Sequence, residues 1–85
     1  MHNVKLITMF VRTPYLRIDG EDHPIEFTGS TVKYHGQTCG VAAYDTDIDV
    51  TTVAAVKPDG TILGHYRTRY HAAAALIREH LNTKD

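Results

Sequence analysis

Residues 48–82 read IDVTTVAAVKPDGTILGHYRTRYHAAAALIREHLN, and this stretch decides the fold class. Ile48, Val50, Thr52, Ala54 and Val56 alternate onto one face of an extended segment, the period of a strand. Asp45, Asp47, Asp49, Thr51, Val53, Ala55 and Lys57 take the other face. Lys57-Pro58-Asp59-Gly60-Thr61 suits a type I turn, with proline at its second position and a left-handed glycine after it. Pairing Lys57 with Thr61 sets Val56 opposite Ile62, Ala55 opposite Leu63, Ala54 opposite Gly64, Val53 opposite His65 and Thr52 opposite Tyr66. That register brings Asp49 near Arg67 and Arg69. Thr68 is a good N-cap, because its hydroxyl can accept a backbone N–H in the first turn. A helix is predicted from about Arg69 to Asn82. Tyr70, Ala73, Ala74, Ile77 and Leu81 form its buried stripe, with Leu76 beside it. Ala72 to Ala75 offer little bulk, and Gly64 would let helix and strand approach closely.

A single helix covers one face of this hairpin. If it covers Ala54, Val56, Ile62 and Tyr66, then Val53, Ala55 and Leu63 take their cover from the N-terminal strands, or else form an interface. Toward the N-terminus the chain keeps a β rhythm. Val4 to Arg12 is apolar on both faces and reads as a central strand, or as one with a face awaiting a partner, stopped at Thr13-Pro14. Tyr15–Ile18 and Pro24–Thr28 are two short strands joined through Asp19-Gly20-Glu21-Asp22, in which Asp-Gly is a strong hairpin pair. Gly29-Ser30 turns the chain again, Thr31–His35 is a further strand, and Gly36–Gly40 reads as a loop before Val41–Tyr44. The expectation is one α+β domain over residues 1–85: a small antiparallel meander of about five to seven strands, with one C-terminal amphipathic helix packed on one face.

With 85 residues the chain has room for a single core. Domains of this size bury about 60–65% of their unfolded surface and often gain stability by oligomerising. Cys39 is the one cysteine, so no internal disulfide is available, and a reducing, cytoplasmic setting is expected. Nine basic against ten acidic residues give a net charge of −1, which disfavours non-specific nucleic-acid binding. No apolar run is long enough to span a bilayer, so no membrane role is expected.

Candidate chemistry is sparse. Asp45, Asp47 and Asp49 line one strand face and could present an acidic surface to a partner, or simply protect a sheet edge. Val50 stands where a calcium loop needs glycine, so that match fails. His35 and Cys39 lie four apart, but they lack further cysteine ligands for zinc and a third group for nucleophilic catalysis. No catalytic residue, metal ligand or cofactor site is assigned.

Gly64-His65-Tyr66-Arg67-Thr68 followed by Ala72–Ala75 resembles the strand–helix pattern of some integrase arm-binding domains, where a three-stranded sheet enters the major groove and an alanine-rich helix backs it. The resemblance covers about twenty residues and implies DNA contacts through Arg67 and Arg69. The chain departs from it at Asp47 and Asp49, whose carboxylates would face phosphates. The leading expectation is therefore a non-catalytic protein–protein interaction module, binding a larger protein or forming a homodimer. Its size and simplicity fit the accessory proteins of phages and mobile elements. Asp45, Asp47, Asp49, Val53 and Leu63 are the candidate contact residues; DNA binding through Arg67 and Arg69 is the alternative.

Overall fold

The computed structural model describes residues 4–7, 15–44 and 52–84, and these form a small α+β fold of two antiparallel sheets and one helix. The first sheet contains β1 (Val4–Ile7), β2 (Tyr15–Ile18) and β3 (Glu21–Pro24), in that order. The second contains β4 (Glu26–Thr28), β5 (Thr31–Tyr34), β6 (Gln37–Tyr44), β7 (Val53–Val56) and β8 (Ile62–Tyr66), a strict meander. The helix α1 spans Arg69–Lys84. The segment expected as one strand over Pro24–Thr28 is divided at Ile25, which is buried between the two sheets. β1 pairs only with β2 among the described residues, so it takes an outer position in its sheet, where a central one was expected.

Turn chemistry explains the short strands. Asp19 and Gly20 both have positive φ, 51° and 87°, the pattern of a two-residue type I′ hairpin turn. His35 and Gly36 repeat it at 50° and 79°, joining β5 to β6. The Gly36–Gly40 segment expected as a loop is thus a tight turn followed by the longest strand. A bulge lies between Thr38 and Gly40, opposite Val32 and Lys33, and it turns Cys39 into the core. The turn between β7 and β8 forms as expected. The Lys57 N–H donates to Thr61 O at 2.8 Å, the Gly60 N–H to Lys57 O at 2.9 Å, and the Thr61 N–H to Asp59 Oδ1 at 2.9 Å.

Beyond that turn the register changes. Val56 still faces Ile62, but Ala55 pairs with Gly64, Ala54 with His65 and Val53 with Tyr66, because Leu63 occupies a bulge. One extra residue in β8 moves Tyr66 onto the Val53 face. The helix covers that face, the opposite of the one first considered. Val53 and Ala55 are fully buried, and Leu63 and Tyr66 pack against the same core.

The helix starts where its cap predicts. Thr68 Oγ1 accepts the His71 N–H at 3.1 Å, and Thr68 O accepts the Ala72 N–H at 3.1 Å. Its burial, however, is not a stripe. Ala72 through Ile77 are all buried, while Tyr70 is 42% exposed. The reason is a second layer: Leu16, Ile18 and Ile25 join the same core, and β1 runs beside α1. The middle of the helix lies between the five-stranded sheet and the smaller one, and four consecutive alanines keep it slim enough to fit. Gly40 supplies the closest approach. A Cβ there would strike the Val56 carbonyl oxygen and come within 2.9 Å of Leu76 Cδ2. Gly64 has another role, since a Cβ would meet the Tyr66 ring, its hydroxyl at 3.0 Å.

Candidate interaction surface

Strand pairing sorts the five-stranded sheet into two faces. Cross-strand partners share a face and neighbours along a strand alternate. The inner face carries the rows Ala42–Ala55–Gly64 and Tyr44–Val53–Tyr66, beneath α1. The outer face carries the rows Thr31–Val41–Val56–Ile62 and Ala43–Ala54–His65. The outer rows place five aliphatic side chains on three adjacent strands. Ala54 is buried, Val41, Ala43 and Val56 are half-buried, and Ile62 is 51% exposed on strand β8, the last in the sheet's order. Toward the other edge the face becomes polar, at Thr28–Thr31 and the Glu26–Lys33 pair.

The residues singled out from the sequence fall in different places. Val53 is fully buried and Leu63 half-buried against the helix, so neither forms the exposed patch expected of them. The helix covers the face that bears Val53 and Ala55, not the one that bears Ala54 and Val56. Asp45, Asp47 and Asp49 lie outside the described residues. Arg69 is tied into the fold: its guanidinium donates to Gly29 O at 2.6 Å and sits 4.5 Å from the Phe27 ring centroid. Phe27 in turn meets Tyr70 edge-on at 5.9 Å. The arginine thus clamps the start of α1 to the turn between β4 and β5, a placement that competes with any phosphate contact. Arg67 is exposed.

The histidines are dispersed except at one point. His71 bonds Thr68, and His80 bonds Gln37 at 3.0 Å. His65 sits on the outer face of the sheet. His23 and His35 meet, with Nδ1 of His23 3.1 Å from Nε2 of His35 and their rings edge-on. Tyr34 packs against both rings. Burial raises the Tyr34 hydroxyl above its ordinary pKa, with the carboxylate of Glu21 acting in the same direction. Among the described residues no three His, Cys, Asp or Glu side chains converge as a metal site. Cys39 is 3% exposed, with Sγ 3.8 Å from Gln37 O, beside Leu76 and His80. Burial of this kind is the ordinary setting of a structural thiol. No described helix is long and apolar enough to cross a membrane.

Comparisons with models of known protein families, with curated proteins and with solved structures found no match to this chain.

Proposed function

We propose that this chain is a small, non-catalytic protein–protein interaction module that works through the outer face of its five-stranded sheet, and that the occupant is a second copy of itself. The observation that carries this reading is the Val41–Val56–Ile62 row. It is an apolar strip across three strands, turned away from the helix and ending at a half-exposed isoleucine. Burying such a strip is favourable at about 25 cal/mol per Å².

Three features favour a second copy as the occupant. The net charge of −1 leaves almost no self-repulsion to hold two chains apart. The polar side of the face carries one acid and one base, Glu26 and Lys33, so two copies related by a two-fold axis can match opposite signs. A domain of 85 residues has a thin stability margin that dimerisation widens. Asp45, Asp47 and Asp49, which lie outside the described residues, belong to the same proposal as candidate acidic contacts. The lone thiol Cys39 supports a cytoplasmic setting as part of the same proposal.

Sedimentation equilibrium of the wild-type chain and of Ile62→Lys tests the reading. A dimer that becomes a monomer in the variant, with unchanged circular dichroism, is expected. A wild-type chain that stays monomeric at millimolar concentration, or a dimer indifferent to Ile62→Lys, would overturn it. Charge reversal at Asp47 and Asp49 then reads the acidic contribution separately.

A further inference from the structure

The His23–His35 contact joins the two sheets. His23 belongs to β3 in the three-stranded sheet, whereas His35 opens the turn between β5 and β6 in the five-stranded sheet. An N···N distance of 3.1 Å is a hydrogen bond only when one nitrogen carries a proton and the other does not. Either ring can be the donor, through Nδ1 of His23 or Nε2 of His35, and the facing nitrogen must then be bare.

We infer that this imidazole pair is a pH-sensitive latch between the two sheets. A first proton on the outer nitrogen of the donor ring leaves the link intact as a charge-assisted hydrogen bond. With both rings protonated, the accepting nitrogen carries a hydrogen too, N–H is set against N–H and two positive rings against each other, and the link is lost. The latch is closed while at least one ring is neutral and opens toward acid, once both are charged.

The surroundings bear on both rings. Glu21 Oε2 on β3 lies 3.7 Å from Nε2 of His23, and Asp22 beside it is occupied by Arg17 at 2.9 Å. Glu26 of β4 lines the same cleft as His23, Pro24, Tyr34, His35 and Gly36. Tyr34 of β5 meets both rings and also His80 of α1. None of these groups restores the bond that the second proton removes.

His35 has φ +50°, the first left-handed position of its type I′ turn, which asparagine also adopts readily. The substitution His35→Asn keeps that backbone and removes the ring.

The test is amide hydrogen exchange on the full chain, read residue by residue between about pH 7.5 and pH 5, the span in which imidazole titrates. Corrected for the intrinsic rate, protection of β3 and of the β5–β6 turn should fall about tenfold across that span, the effect of one linked proton over one pH unit. The β6–β7 ladder should hold. In His35→Asn and in His23→Gln the acid-dependent part should vanish. Wild-type protection of β3 that is indifferent to pH would overturn the latch, and so would the same pH dependence in a folded variant of either kind. The dimerisation test leaves this outcome untouched.

Discussion

The two faces of the five-stranded sheet use the same strands and opposite logic. Inside, under the helix, stand Ala42, Ala55 and Gly64; outside stand Val41, Val56 and Ile62. In this row the larger side chains are on the face the helix does not cover, whereas the next inner row carries Tyr44, Val53 and Tyr66. The helix adds Leu76, Ile77 and Leu81 to the core, and the small residues of the Ala42 row let it close in. Close packing, rather than the hydrophobicity of single positions, sets which face is inside.

Substitutions can break this contrast. The largest effect is expected for Gly40→Ala. Its methyl would meet the Val56 carbonyl and the Leu76 side chain, at a φ of +146° that alanine resists. A loss of about 3 kcal/mol is expected, the scale of an overpacked core with added backbone strain, measured by urea unfolding. Leu76→Ala attacks the same contact from the helix side and should cost about 2–3 kcal/mol, with the slope on urea unchanged. If it costs less than an outer-face Val56→Ala, the assignment of inner and outer faces is wrong.

Thr68→Ala removes the cap that fixes where the helix starts and should cost about 1 kcal/mol, while Thr68→Ser should cost little. Ile62→Lys should change the stability of the monomer by no more than about 0.5 kcal/mol, since this side chain is half-exposed on strand β8, last in its sheet. A large loss would mean that the outer face is covered within the chain. The smallest effect belongs to the turn that joins the faces. The Asp59 carboxyl is held below its usual pKa by the Thr61 N–H it accepts. Its contribution is therefore complete above about pH 4 and lost as the pH falls through the lower folded value. The Thr61 amide shift followed through acid titration should report that loss, and Asp59→Asn should flatten it.

Much of the fold is written in local sequence. The proline and glycine of the β7–β8 turn, the threonine cap and the Asp19-Gly20 hairpin are short-range devices, and each forms where the residues place it. What sequence reading missed depends on single inserted residues. Nothing about Leu63 marks a bulge, yet one bulge there shifts every later pair of β8 and carries Tyr66 to the other face. The bulge at Cys39 is equally silent: glycines at both ends read as a loop, but the chain remains in a strand. Val53 and Leu63 lie inside for a related reason. Their exposure requires the helix to cover the face bearing Ala54, Val56 and Ile62, and it covers the other one. The His23–His35 pair joins residues twelve apart on different sheets, a closeness no local pattern records.

The helix that separates the two sheets also sets an order in time. Residues 69–84 follow every strand in the chain, yet Ala72 to Ile77 sit where the sheets would otherwise meet an empty interior. On a ribosome both sheets emerge before the segment that gives either of them a core. The hairpins can form early from their own turns, but Leu16, Val32 and Val53 stay wetted until α1 has left the exit tunnel. Until then the nascent chain presents the inner and outer faces of its larger sheet alike, and arrival of the helix is the event that tells them apart.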